Sequence, residues 1–572
     1  MIKSNRRISY VAIGFIFAII AVIVCLHIEK YAKTALDSKI KYSHESGFYD
    51  APIEVELSVG SNYFITYTLD GRAPNAGSTR YEGPILITDA SDNENVWSSI
   101  IETSLKYFES DYYKLPEDKV DKCAVLRAAA FDYSGNLVDS DVREYFIGFK
   151  DKAGYEDMYN LCVVTDPENL FDSERGIYVV GEYWDKKIES GKIYVMYDGE
   201  NGWDKENVEN WIWSGVESER PATIEVFSPD DELLMRDHCG VRVRGGFSRY
   251  SVQKPLGFYA REEYSGESTF SYDIFNDGSS IDKFLIHNSG DDFDVKMMDY
   301  VIYNALLRGK SSLVFTPMIP CNLFIEGEYW GPMYLMKDMD SNLISEAYGL
   351  DKDNIVLIKS GIVKECANDL LAEEEQQRWS EFENFVKTHD MSISENYEYV
   401  CSQMDIENFA EYAAIEIYIA NADWHLDNNS AFWRTIKPES GKIYSDGKWR
   451  CGLFDVNLCF ESEEEINKNT YHYAEWDMCY FVRKLCENEE FRNLYLKNLE
   501  KMETTFAPDV VEAIIDEWTE TMEEPIRCNF KRFSINCDPD DKVEAEKQHI
   551  IDFCANRPNE MGKVNEWFFS KD

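Results

Sequence analysis

The run NADWHLDNN, residues Asn421–Asn429, sets Asp423, His425, Asp427, Asn428 and Asn429 at the exit of a strongly apolar segment. Burying so many polar groups is costly, and exposing them serves no packing purpose. Such a cluster is expected where one loop holds a proton acceptor beside metal ligands. A polar turn with an N-cap is the structural alternative. Downstream, KWRCGLFDVNLCF (Lys448–Phe460) places Asp455 and Asn457 two apart in an apolar run. Read as a strand, that spacing sends both side chains to one face. A carboxylate among Leu, Phe, Val and Cys needs a cation or hydrogen bonds. Carboxylate and amide oxygens suit Mg²⁺ or Mn²⁺, although backbone N–H groups at a strand end would also satisfy it. Upstream, GVRVRGGFSRYSVQKPLGFYA carries Arg242, Arg244, Arg249 and Lys254, with Gly245-Gly246 read as a turn between two strands. Cations on both arms suit an anionic ligand, because glycine lets backbone approach phosphate closely. An ordinary β-hairpin has the same pattern.

Those cations are anomalous for this chain. Its 572 residues carry 58 basic and 106 acidic side chains, a net charge of −48. That field repels phosphate backbones, so nucleic acid and anionic lipid surfaces are excluded as main partners. With 44% apolar and 14% aromatic residues the acidity does not mean disorder. The length predicts two or three domains with a large core.

The elements that must position the candidate residues follow in order. Residues 8–28, ISYVAIGFIFAIIAVIVCLHI, are long and apolar enough to span a bilayer. Lys3, Arg6 and Arg7 precede them and favour a cytoplasmic N-terminus. The run exceeds a usual signal-peptide core and lacks a clean cleavage site, so a signal anchor (residues 1–28) is preferred over a cleaved signal. A polar linker covers 29–46. Residues 47–150 alternate in short strands (IEVELSV, YFITYTL, GPILITD, AVLRAAAFD, REYFIGF), with Asp70-Gly71 closing a tight turn and 91–120 read as an insertion. This predicts a small β-sandwich. Beyond Tyr159 the texture is mixed, with VKMMDYVIYNALL and IENFAEYAAIEIYIA at helical spacing, the latter interrupted by Glu416. Residues 372–377 read as an exposed charged helix, and the part from about 467 to 572 as helical. Of 14 cysteines none forms a CxxC pair, so zinc ribbons and thioredoxin-like sites are unsupported. Buried thiols with a few disulfides are expected.

The module at 47–150 resembles the chitobiase/β-hexosaminidase C-terminal-like family in GFYDAPIEVELSV, ITYTLDGRAPNAGSTRYEGPI and LRAAAFDYSGNLVDS. The resemblance implies a spacer, or a contact with glycan. A cationic glycine hairpin, then Asp423 with Asn428 five residues on, then Asp455 follow the order of parts in protein kinases. From about Leu161 to Phe460 the chain resembles the spore-coat protein H (CotH) family of atypical secreted kinases. The motifs are the cationic stretch, FLIHNSGDDFDVKMMDYVIYNALL, YWGPMYLMKDMD, the helix with NADWHLDNN, and KWRCGLFDVN. The predicted fold class is therefore α+β: a transmembrane helix, a small β-sandwich, and an atypical kinase-like domain over 159–466 with a helical part over 467–572.

The resemblance implies metal-dependent transfer of the ATP γ-phosphate to protein Ser/Thr hydroxyls. By position, Lys254 would hold nucleotide phosphate with help from Arg244. Asp423 would orient or deprotonate the acceptor. Asn428, Asp455 and Asn457 would hold Mg²⁺ or Mn²⁺. The chain departs from the family at Asn457, where a second Asp is usual, and at Lys337, where Glu is frequent. Two other readings stand beside the kinase: a catalytically weak or dead kinase-like surface protein for adhesion or glycan binding, and a glycoside hydrolase with paired carboxylates. The kinase reading expects a single-pass membrane protein, N-terminus cytoplasmic and bulk extracytoplasmic, with a protein substrate whose basicity would complement the acidic chain.

Overall fold

The structure is a computed structural model that describes residues 37–105, 111–190, 197–198, 202–203, 209–460 and 477–569. The expected membrane anchor at 8–28 and Cys25 lie outside the described residues. Among the described residues no helix is long and apolar enough to cross a membrane.

The first sheet comprises β1 (Gly47–Tyr49), β2 (Tyr63–Thr68), β3 (Thr79–Arg80), β4 (Ala124–Asp132) and β5 (Leu137–Ile147), ordered β1-β5-β4-β2-β3. A smaller pair, Ile53–Val55 with Ile85–Ile87, shares its core of Val55, Ile65, Ile87, Leu126, Ala128 and Tyr145. The tight turn expected at Asp70-Gly71 is instead part of a longer loop, residues 69–78. Gly71 takes φ +77° there, and its carbonyl accepts a 2.7 Å bond from Arg127 Nη1. The segment read as an insertion clamps this module to the next. Trp97 stacks on Phe171 at 5.4 Å, and the Glu328 carboxylate accepts the Val96 and Ser98 amides at 2.7 Å each.

Seven strands then close into a barrel: β6 (Tyr159–Thr165), β7 (Arg220–Phe227), β8 (Leu233–Val243), β9 (Leu256–Tyr259), β10 (Lys283–His287), β11 (Ile319–Ile325) and β12 (Glu328–Met336). Their order is β6-β7-β8-β9-β10-β12-β11, with β11 parallel to β6. Closure removes open edges, and Leu161, Ile224, Val241, Phe258, Phe284, Leu323 and Trp330 fill the interior. The cationic stretch is not a tight hairpin. Strands β8 and β9 do pair, but residues 244–255 join them through a 3₁₀ turn at Phe247–Tyr250.

A second sheet, β13 (Ile355–Lys359), β14 (Ile362–Glu365), β15 (Ala431–Thr435) and β16 (Arg450–Gly452), is ordered β14-β13-β15-β16. The helices of this part are α1 (Met298–Arg308), α2 (Asp369–Thr388), α3 (Ile406–Tyr418), α4 (Asp477–Leu485), α5 (Glu489–Thr505), α6 (Pro508–Arg532) and α7 (Pro539–Phe569); α2 and α3 pack on this sheet, and α6 on barrel strands β11 and β12. Helix α3 is buried on every face from Asn408 to Tyr418, so its apolar stripe belongs to a central helix rather than a half-exposed one. The charged stretch 372–377 is likewise not wholly solvated. Glu375 turns inward and holds Arg434 in a two-pronged pair at 2.7 and 2.8 Å. Among the described residues no two of the 13 cysteines form a disulfide.

Candidate active site

A cleft of about 790 Å³ is lined by the loop after β8, by β10, by the link after β12, by the end of β13, by α1 and by the two polar loops. It brings together Arg244, Asp423, Asn428, Asp455 and Asn457. Four of these form two amide-clamped carboxylates. Asn428 Nδ2 donates to Asp423 Oδ1 at 2.7 Å, and Asn429 Nδ2 donates to Oδ2 at 2.8 Å. Asn457 Nδ2 donates to Asp455 Oδ1 at 2.6 Å. The loop closes on itself where His425 and Asn428 exchange backbone bonds of 3.0 and 3.3 Å.

Asp455 and Asn457 converge by a route other than the expected strand. Strand β16 stops at Gly452, and Asp455 lies in a loop at φ +60°. Asn429 is similarly left-handed at φ +51°. Such φ values are costly for residues with a Cβ and persist where surrounding contacts over-determine them. The contacts are visible beneath: Asn421 accepts the Asp423 amide at 3.1 Å and donates to the Asp455 carbonyl at 3.4 Å.

The acidic side is electrostatically crowded. Burial, then the Asp423 charge, pushes the Asp455 carboxyl up to about 6, against the Asn457 hydrogen bond and Lys359. Burial also raises Asp423. Asp299, on α1, is raised well above the carboxylate range by burial and by Asp455, and its Oδ1 is buried without a hydrogen-bond partner. Sequence reading passed over Asp299, although an acid inside the apolar VKMMDYVIYNALL was a signal.

The cationic side differs from expectation. Lys254 does not line the cleft. It is fully buried, its ammonium donating to the carbonyls of Arg249 (2.7 Å) and Ser251 (3.1 Å) and lying 3.8 Å from the Trp211 ring centroid. Its ammonium is thus turned to those carbonyls rather than to the cleft. Arg244, Lys283 and Lys359 face the cleft instead, and all three meet Asp338. Arg244 Nη2 is 2.6 Å from Asp338 Oδ2, Lys283 Nζ 3.5 Å, and Lys359 Nζ 3.6 Å from Oδ1. Lys283 and Lys359 each end an apolar strand, which in sequence looks like a solvated strand end.

Carboxylates at elevated pKa, amide oxygens and an unpartnered buried Asp299 oxygen make a donor set that a divalent cation would relieve. Among the described residues no three His, Cys, Asp or Glu side chains already form a metal-holding group. A cation would therefore draw on one or two carboxylates, amide oxygens and the ligand's own oxygens, the usual pattern for Mg²⁺ with phosphates. Cations and carboxylates lining one cleft can receive a polyphosphate and place a hydroxyl against a proton acceptor.

A cleft of this kind, beside a closed barrel and a helical body, is that of a kinase-like protein. Residues 241–561, more than half of the chain, match the family described as CotH kinase protein, and the chain belongs to the CotH kinase family. The match runs beyond Phe460 through α4 to α6 and into α7. Residues 44–93 match the chitobiase/β-hexosaminidase C-terminal domain. No curated protein matches the sequence.

Proposed function

We propose that the protein is a membrane-anchored, extracytoplasmic protein kinase that transfers the ATP γ-phosphate to Ser or Thr hydroxyls with Mg²⁺ or Mn²⁺. The observation that carries this reading is that two amide-clamped aspartates, Asp423 and Asp455, and the cations Arg244, Lys283 and Lys359 line one cleft. A divalent cation held here would supply neutralisation of phosphate charge. Asp455 and the amide oxygen of Asn428 would hold it. The amide oxygen of Asn457 would join them, while its amide nitrogen, donating to Asp455, orients that carboxylate. Asp423 accepts the hydroxyl proton, and its two amide donors fix its orientation. Arg244, Lys283 and Lys359 take the phosphate role expected of Lys254. Positioning and charge neutralisation supply most of the rate.

The segment 8–28 serves as the anchor in this reading, and the module at 47–150 as a spacer or glycan contact. A net charge of −48 favours a basic acceptor. The test is transfer of labelled γ-phosphate to the chain itself or to a lysine-rich protein. Incorporation that needs metal and disappears in Asp423→Ala and Asp455→Ala supports the reading. No incorporation by wild type with either metal refutes catalysis. That result would favour the second reading, a non-catalytic kinase-like surface protein, for which Asn457 in place of a carboxylate is the specific observation.

A further inference from the structure

Asp338 follows β12 at the crossing from the barrel to the second sheet, and three otherwise separate elements send a cation to it. Arg244 comes from the loop after β8, Lys283 opens β10, and Lys359 closes β13. We propose that Asp338 is a positioning residue for the nucleotide site, fixing Arg244, Lys283 and Lys359 as a preorganised array for a triphosphate. This deepens the nucleotide reading above and rests on it.

Three long cationic side chains in one cleft repel each other and lose much rotamer freedom when ordered. A partly buried anion at their centre settles both costs before any ligand arrives, which is the meaning of preorganisation. The contact distances are graded. Arg244 is bound tightly at 2.6 Å, and Lys283 is shared with Asp340 Oδ2 at 2.6 Å. Lys359 lies 3.6 Å from Asp338 and 4.5 Å from the Phe454 ring centroid. An ammonium has three donors, so a contact this loose leaves Lys359 able to bond a phosphate oxygen without leaving Asp338. Although burial opposes it, Lys359, Arg244 and Lys283 hold the Asp338 carboxyl down at about 2, so it stays charged at working pH. The neighbouring Lys337 is not part of the array; its ammonium pairs with Asp277 and Glu346 at 2.6 Å each.

The test is calorimetric titration of the full chain with ATP and Mg²⁺, alongside AMP. Asp338→Asn is expected to weaken ATP by about tenfold and AMP by less than about threefold, with the KM for ATP rising by more than kcat falls. Asp338→Glu is expected to recover part of the loss. ATP affinity that is unchanged, or tighter, in a cooperatively melting Asp338→Asn would overturn the proposal; tighter binding would make Asp338 a competitor of phosphate instead. If Asp338→Asn does not melt cooperatively, Asp338→Glu decides, since a displaced carboxylate must still weaken ATP measurably and equal affinity overturns the role. If wild type binds no nucleotide, the kinase reading itself fails and this role falls with it.

Discussion

Asn421 Nδ2 donates a 2.9 Å hydrogen bond to Glu416 Oε2 directly beneath the two aspartates of the cleft. Through its other contacts Asn421 joins the Asp423 and Asp455 loops, so Glu416 supports both. Burial pushes the Glu416 carboxyl up to about 8, and its neutral form is the one expected at pH 7.

Glu416→Ala should therefore release Asn421 and loosen both loops. Metal-dependent transfer is expected to fall by roughly 10- to 100-fold, because misplacing reacting groups by about an ångström costs that much. Glu416→Gln keeps an acceptor for Asn421 and should retain most activity. Steady-state kinetics of the two variants checks this, and equal loss in both would mean the charge, rather than the hydrogen bond, matters.

The Asp455 shift has a definite sign. A carboxyl raised to about 6 in the folded chain favours folding fully only below the unfolded value near pH 4. That contribution is lost as pH rises from about 4 to about 6. Metal-free Asp455→Asn should thus be more stable than wild type above pH 6, by about 1–3 kcal/mol, with the gap closing below pH 4. Thermal melts in chelator across pH 4–8 measure it. A variant less stable at pH 8 would contradict the crowding described for this site.

Lys254 and Lys359 should behave oppositely. Lys254→Met strands the Arg249 and Ser251 carbonyls and loses a desolvated ring contact, so it should cost about 2–4 kcal/mol of stability. Lys359→Met removes only loose contacts; it should leave the melting temperature nearly unchanged and reduce ATP affinity. Paired melts and ATP titrations separate the two, and the reverse pattern would restore the phosphate role to Lys254.

These contrasts mark where sequence was informative. AVLRAAAFD became β4 (Ala124–Asp132) residue for residue, because a short apolar run bounded by turn residues is a local signal. Asp423 and Asn428 were visible because one loop carries both. Asp338, Lys283 and Lys359 were not, because their meeting is made by three chain segments far apart in sequence. The direction of Lys254 was equally hidden, since it depends on Trp211 and on a 3₁₀ turn that replaced the expected hairpin. The strand reading of Asp455 failed because pairing in β16 ends at Gly452.

The N-terminal module meets the barrel across two fully buried carboxyls, Glu144 on β5 and Glu225 on β7. Ser46 Oγ and Arg236 Nε donate to Glu225 Oε1 at 2.7 and 2.6 Å, whereas neither Glu144 oxygen has a hydrogen-bond partner among the described residues. Burial and then Glu225 raise Glu144 well above the usual range; Cys123 adds to this and Arg236 opposes it. A raised carboxyl loses its stabilising contribution as pH rises through its folded value. Hydrogen exchange in residues 47–150 should therefore quicken from pH 6 to pH 9 beyond the intrinsic rate in wild type, and much less in Glu144→Gln. Identical pH profiles would show that protonation of Glu144 does not hold this junction.

The most direct measurement of the central claim is a crystal of the protein soaked with Mn²⁺ and a non-hydrolysable ATP analogue, read by anomalous scattering. The account predicts a Mn²⁺ peak ligated by Asp455 and Asn428, with the polyphosphate reaching Lys359, Lys283 and Arg244. A nucleotide bound elsewhere, or a peak remote from Asp455, would contradict it.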